Sequence, residues 1–426
     1  MRWILVILGI VFSGCATQST QTKIVQAEAG INCEVPENAA ACREAAMALM
    51  AEEYTPAAGN RAWELLEAAC RHQDQEACHG LAELYEKGIG TPQNLPEATR
   101  LYRANCDAGY TPSCNNLALI LAREDRDPSQ AQEVLELACK GGEAIACFNL
   151  GFRAESGTLA SNKEIAASYY RRSCELGYAE GCYYIGVMLR YGDGVEKDEA
   201  GGLKLYEKSC EAGYSRACSA IGSLFETGTG AEKSAEKATK YYRQACDSGF
   251  ARGCTNLGIQ AEKAGGGAAL FELGCRKGDG QGCSRLGVLQ LNGTGGAEKS
   301  AAKALLSFLR ACELGWAAGC SNLGVLHEEG LGTEQDFETA EKLYERACDL
   351  EETQACLNLA EMMAEGRGIE ENMDRATDLY MKACEGGLAK ACTALGRRWL
   401  EDPKHQEFGK QLIERGCAEG DLEACE

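Results

Sequence analysis

The chain has few prolines (7), few histidines (4) and few aromatic residues (7%), and its 43 basic residues are outnumbered by 64 acidic ones. Each shortage excludes something. Scarce proline leaves long helices uninterrupted, and scarce aromatics with abundant glycine fit helices and turns better than a β-sandwich. A formal charge of −21 argues against a nucleic-acid partner, because phosphate binding needs clustered Lys and Arg. A solvated acidic surface is its plain meaning. No C-x-x-C redox motif occurs, and neither K-T-G nor S-D-N is present. At 426 residues the chain is too long for one compact core, so several domains or a repeat array are expected.

The apolar run from Trp3 to Phe12 follows a single Arg and is too short to span a bilayer as a stable helix. It leads into Phe12-Ser13-Gly14-Cys15, which resembles a bacterial lipoprotein signal, with Phe12 where Leu is usual. The resemblance implies a signal peptide over 1–14, cleavage before Cys15 and lipid on that cysteine. Ala16, in place of Asp, implies no inner-membrane retention. The expectation is an exported protein, lipid-anchored to the outer membrane and facing the periplasm or the cell surface. Residues 15–30 then form the lipidated cysteine and a polar tether, and 31–426 the body of the protein.

What the chain has in plenty is glycine (50) and cysteine (25). Beyond Cys15 the cysteines fall into twelve close pairs. These are Cys33/Cys42, Cys70/Cys78, Cys106/Cys114, Cys139/Cys147, Cys174/Cys182 and Cys210/Cys218, then Cys246/Cys254, Cys275/Cys283, Cys312/Cys320, Cys348/Cys356, Cys384/Cys392 and Cys417/Cys425. An odd total ordinarily warns of a free thiol, but here the odd one is the residue expected to carry lipid. From Cys70 onward successive pairs start 29 to 37 residues apart, most often 36, the mark of a helical repeat array.

Aligned on the cysteines, each position shows its task. Three residues after the second Cys stands Leu or Ile, as in Leu81, Ile221 and Leu323. The next residue is always Gly or Ala, including Gly151, Gly222, Gly258, Gly287 and Gly324. A mid-helix Gly costs about 1 kcal/mol against Ala, so its recurrence predicts close approach of a neighbouring helix. Four residues before the first Cys the side chain is large, as in Tyr102, Tyr170, Tyr242, Phe271, Phe308 and Tyr344. Small gaps on one helix and bulky knobs on another are complementary packing surfaces. Gly stands three residues after the first Cys in nine of eleven units and predicts a left-handed helix end there. Each C-x7-C therefore spans a helix end, a turn and the next helix start. Loops with G-x-G, such as Gly228/Gly230 and Gly330/Gly332, follow a helix and not a strand, so they are turns and not phosphate cradles. The units between 114 and 139, 254 and 275, and 392 and 417 lack this loop.

This pattern, A-C-x-N-L-G, then G-x-G-V, then L-Y-x-K-A-C-x-x-G, resembles the Sel-one-like repeat, a relative of the tetratricopeptide repeat. More narrowly it resembles the cysteine-rich secreted bacterial branch, over residues 33–426. The resemblance implies an all-α, right-handed superhelical solenoid of about eleven antiparallel helix pairs. It further implies that one disulfide ties each pair to the next and that the first helix of each pair lines a concave face.

Three chemistries compete for the cysteines. Zinc sites gather four ligands at shorter Cys spacings, and only Cys70 and Cys78 have histidines nearby, His72 and His79. With no redox motif and an oxidising destination, disulfide staples are the expectation at all twelve pairs, and no metal or cofactor is expected. Such a short loop contributes roughly 2–3 kcal/mol per bond in the loop-entropy picture. Some members of the resembled branch carry a β-lactamase label. S-x-x-K occurs here as Ser234/Lys237 and Ser300/Lys303, both expected at helix starts where Ser serves as a cap. No catalytic residue is therefore assigned, with weak β-lactam binding or hydrolysis as the alternative. The binding expectation rests on Asn116, Asn149, Asn256, Asn322 and Asn358, two residues after the second Cys. The resemblance implies that such amides contact an extended peptide, since an amide both donates and accepts. The other reading is that they bond within the solenoid. The expected partner is a protein, an extended peptide or a cell-wall fragment.

Overall fold

A computed structural model of the protein describes residues 32–51, 55–123, 128–157 and 162–425. The signal segment, Cys15 and the tether lie outside the described residues. The chain divides into two compact units, one ending at Asp198 and the other starting at Glu199. Among the described residues the regular elements are helices. The first unit holds α1 (Ala39–Ala51), α2 (Pro56–Arg71), α3 (Gln75–Lys87), α4 (Leu95–Asp107), α5 (Thr111–Arg123), α6 (Pro128–Lys140), α7 (Ala144–Glu155), α8 (Lys163–Glu175) and α9 (Ala179–Tyr191). The second holds α10 (Glu199–Glu211), α11 (Ser215–Thr227), α12 (Ala235–Asp247), α13 (Ala251–Glu262), α14 (Ala268–Arg276), α15 (Gly280–Asn292), α16 (Ala301–Glu313), α17 (Ala317–Glu329), α18 (Phe337–Asp349), α19 (Thr353–Glu365), α20 (Met373–Glu385), α21 (Ala389–Glu401) and α22 (Gln406–Ala418). Within each unit the helix pairs expected from the cysteine period are present, an odd-numbered helix followed by an even-numbered one.

The knobs and gaps meet as the spacing predicts, and they meet within a pair. A methyl group added at Gly222 of α11 would come within 2.6 Å of the Tyr242 ring on α12. At Gly324 the ring is that of Tyr344, at 2.7 Å, and at Gly151 that of Tyr170, again at 2.7 Å. These rings are fully buried. The glycines therefore offset their helix penalty by letting an aromatic ring lie flat on the backbone.

The two junctions in each repeat are fastened differently. Most even-numbered helices begin at a side-chain cap twelve residues before the cysteine: Asn94, Asn162, Ser234, Ser300, Asp336 and Asn372 each accept an amide of the first turn. Many odd-numbered helices begin with no side-chain cap, at Tyr178, Tyr214, Phe250, Trp316, Glu352 and Leu388. There a disulfide holds the start instead.

All twelve expected disulfides are formed. In the first unit Cys70 at the end of α2 is bonded to Cys78 in α3, Cys106 to Cys114, Cys139 to Cys147 and Cys174 to Cys182. In the second unit Cys210 at the end of α10 is bonded to Cys218 in α11, with Cα atoms 4.9 Å apart. Cys246 to Cys254, Cys275 to Cys283, Cys312 to Cys320, Cys348 to Cys356 and Cys384 to Cys392 repeat that junction. The two outermost bonds differ in what they tie. Cys33 to Cys42 holds the segment ahead of α1 onto that helix, and Cys417 to Cys425 holds the residues after α22 onto its end. The turn inside each junction takes a positive φ at Gly109, Gly213 and Gly249. The two units that lack this glycine place Gln73 (φ 65°) and Glu351 (φ 67°) there, in a region that costs an L residue roughly 1–2 kcal/mol.

Candidate functional site

Residues two, five and nine after the second cysteine share one face of each odd-numbered helix, by the i, i+3, i+7 rule. The five asparagines begin this face, and the array uses most of their amides itself. Asn116 donates to the Tyr102 hydroxyl at 3.2 Å. Asn149 donates to Asn115 Oδ1 at 2.8 Å, and Asn115 in turn donates to Asn116 at 3.3 Å. Asn256 donates to Ser219 Oγ at 3.3 Å, and Asn358 accepts from Gln354 at 2.8 Å. Asn322, half-buried on α17, makes no side-chain hydrogen bond among the described residues.

The structure adds a set of carboxylates that sequence reasoning missed. Tyr102 donates to Glu86 (3.1 Å), Tyr170 to Glu155 (2.7 Å), Tyr242 to Glu226 (2.8 Å) and Tyr344 to Glu328 (2.7 Å). Three of these carboxylates also take a cation from the following repeat. Arg123 lies 3.0 Å from Glu86, Lys263 3.1 Å from Glu226 and Arg367 2.7 Å from Glu328. Burial, and then the facing carboxylate, drives these tyrosine hydroxyls far above their ordinary range, so they remain donors. Where the cation is present, the rung ties two helices of one repeat to the next repeat. The signal was in the sequence: a Glu stands fifteen or sixteen residues before each of these Tyr knobs. Phe271 and Phe308 have no hydroxyl for a rung, and Glu365, fifteen residues before Tyr380, pairs with Arg367 at 3.1 Å and Arg398 at 3.6 Å. Arg398 lies over the Tyr380 ring there, 5.7 Å from its centre.

In the second unit the same face opens into a groove of about 540 Å³ between α17, α18 and α19. Val325 and Phe337 supply apolar wall, and Asn358, Glu361 and Arg367 supply polar edge. Burial holds the Glu361 carboxyl above its ordinary value; Arg367 and Arg398 oppose this, and Glu365 and Glu328 add to it. At the matching position in the first unit Glu83 behaves oppositely. Burial alone would raise it, but hydrogen bonds and charge from His79 and Lys87 hold it down at about 2.

No nucleophile emerges from the motifs singled out above. Ser234 and Ser300 are N-caps, accepting the amides of Lys237 and Lys303 at 3.3 Å. The Lys303 ammonium lies on Glu298 at 2.5 Å. One unforeseen arrangement has the look of a triad: Ser113 Oγ is 3.0 Å from His79 Nδ1, whose Nε2 is 3.5 Å from Glu83. Ser113 is 0% exposed and already takes the Asn105 amide at 2.9 Å, so a substrate cannot reach it. It is a buried polar network that locks α3, α4 and α5 together. Among the described residues no group of three or more metal-ligating side chains converges.

The Sel1 repeat family profile matches residues 75–110, 144–178, 179–214, 215–250, 280–316, 317–351 and 353–388. The units between 114 and 139, 254 and 275, and 392 and 417 fall outside these segments. Cytochrome c oxidase assembly factor 7 of Xenopus tropicalis is 28% identical over 148 residues, 32% of this chain and 64% of that protein, so less than two thirds of the relative is spanned. Among solved structures, a protective antigen of uropathogenic Escherichia coli displaying an SLR fold matches with a TM-score of 0.55 at 19% identity, covering 94% of this chain and 89% of that one. A Sel1 repeat protein from Oxalobacter formigenes matches with a TM-score of 0.53 at 20% identity, over 70% of this chain and 90% of its own. At these identities the two structures speak to fold alone. With seven matched repeats covering more than half of its residues, the chain belongs to the Sel1 repeat family.

Proposed function

We propose that this Sel1 scaffold is a non-catalytic binding protein whose client is a protein or an extended peptide. One observation carries the reading: the groove on α17, α18 and α19, where apolar Val325 and Phe337 adjoin the Asn358 amide and the Glu361 carboxyl. Asn322 adds an uncommitted amide on α17, available to a peptide bond. The assembly role in the relative's name is in keeping with a scaffold that holds another polypeptide. We place the protein outside the inner membrane, held at the outer membrane by lipid on Cys15, on the strength of the Phe12-Ser13-Gly14-Cys15 motif.

A photo-crosslinking residue at Val325, with Leu306 on the exposed side of α16 as control, tests the binding reading in cells. Protein adducts at 325 and not at 306 support it; equal yields at both positions, or none at 325, refute it. Labelling with a radioactive fatty acid that disappears in Cys15→Ala checks the anchor. No observation favours the hydrolase alternative, since Ser234 and Ser300 cap helices. Turnover of a chromogenic cephalosporin that is lost in Ser300→Ala would reverse that judgement.

A further inference from the structure

Five independent features coincide at one repeat of the second unit. Helix α14 has nine residues, whereas every other even-numbered helix has thirteen or more. It starts at Gly267 with no side-chain cap. Its knob, Phe271, has no hydroxyl with which to make a carboxylate rung. Its buried apolar cluster, Ala268, Phe271, Leu286 and Leu289 with Ile259 and Ala297 packed against it, is as small as the one around Phe308. Beneath it, on α13, the fully buried Thr255 hydroxyl finds no hydrogen-bond partner. Each of these lowers the free energy of opening this repeat locally.

The sulfurs single out the same place. Of the cysteines between Cys106 and Cys392, Cys275 alone is not buried, while its partner Cys283 is 0% exposed. The eight other disulfides of that stretch have both cysteines sealed, at 6% exposure or less. Reachable cysteines occur otherwise toward the ends of the array, at Cys33, Cys70, Cys417 and Cys425 among others.

We infer that Cys275–Cys283 is a redox-sensitive release point inside the array, opened by a dithiol reductant before the sealed disulfides on either side, and that its opening frees α14. A thiolate of the reductant attacks the sulfur of Cys275, the less buried residue of the pair, forming a mixed disulfide and expelling the Cys283 thiolate, which takes a proton. The second thiol of the reductant then displaces Cys275, so the protein gains two electrons and two protons and the reductant becomes a cyclic disulfide. Freeing α14 interrupts the row of odd-numbered helices between α13 and α15. The effect concerns the continuity of the binding face, and it is measurable whether or not the proposed client exists.

The oxidised full-length protein is treated with limiting dithiothreitol, quenched with N-ethylmaleimide and mapped by mass spectrometry, with amide hydrogen exchange read in parallel. Cys275 and Cys283 are expected to be labelled about tenfold faster than the flanking pairs Cys246/Cys254 and Cys312/Cys320, with exchange rising across 268–276. Labelling together with the flanking pairs, or after them, overturns the inference. The double variant Cys275→Ser/Cys283→Ser separates release from general collapse. Faster exchange confined to 251–292, with α18 and α19 still protected, supports it. Unchanged exchange in α14, or equal loss in α18 and α19, overturns it.

Discussion

The repeat built on α17 and α18 and the repeat built on α13 and α14 share a sequence pattern and differ in almost every fastening. The first has Tyr344 bonded to Glu328, Asp336 capping α18 and a closing disulfide, Cys348 to Cys356, whose cysteines are 1% exposed. The second has Phe271, an uncapped nine-residue helix, an unpaired buried hydroxyl and one reachable cysteine. Both keep the ring over a glycine, at Gly324 and at Gly258. Packing of knob into gap is therefore what makes a repeat, and the polar rung, the cap and the sealed disulfide set how firmly it is held. A repeat array tolerates such unevenness because each unit leans only on its neighbours.

The comparison can be broken most forcefully at the shared element. Tyr344→Ala empties the gap over Gly324 and is expected to cost about 3–5 kcal/mol in chemical denaturation of the second unit. Tyr344→Phe makes the firm repeat resemble the weak one by removing only the hydroxyl, at a cost of about 1–2 kcal/mol. If Tyr344→Phe is neutral, the carboxylate rung does not stabilise the array. Thr255→Val works in the opposite direction: an isosteric methyl replaces a buried hydroxyl without a partner and should add about 1 kcal/mol, seen as slower hydrogen exchange in α13 and α14. Asp336→Ala should cost about 1 kcal/mol, measured by the same exchange across the first turn of α18.

A second contrast concerns Glu83 and Glu361, five residues after the second cysteine in their repeats. Glu83 is held at about 2, below the ordinary carboxyl value of 4.5, so its contribution is present above pH 4.5 and is lost as the pH falls toward 2. Glu361 is raised, so its ionisation works against folding and acidification relieves it. Glu83→Gln should flatten the acid limb of the stability profile between those two pH values. Glu361→Gln should raise stability at neutral pH. Equal profiles for the two variants would remove the contrast.

Much of this was legible in the sequence for a local reason. Cysteine period, glycine gap and aromatic knob recur at fixed offsets, so alignment of the repeats on one another exposes them. The 29-residue interval before Cys275 likewise announced the shortened repeat. What stayed hidden depends on which way a side chain turns. The asparagines left two readings open, a ligand or the solenoid itself; Asn116 turns to Tyr102 and Asn149 to Asn115, because a half-buried amide gains more from a near partner than from water. The Tyr–Glu rungs left a regular spacing in the sequence, but the two residues lie on different helices and only the packed pair shows that they meet. Ser113, His79 and Glu83 come from two repeats, and no motif spacing brings them together.

The disulfide pattern has a consequence for how the protein is made. From Cys33 onward every bond joins a cysteine to the next cysteine along the chain, at a sequence separation of 8 or 9. Loops of that length close in about 10–100 ns, far faster than a chain is synthesised. From Cys33 onward, a cysteine emerging from a ribosome or a secretion pore therefore meets its native partner before the following pair has appeared. Oxidation that keeps pace with emergence gives the native connectivity directly, and its rate is set by the oxidant and not by the search for a partner.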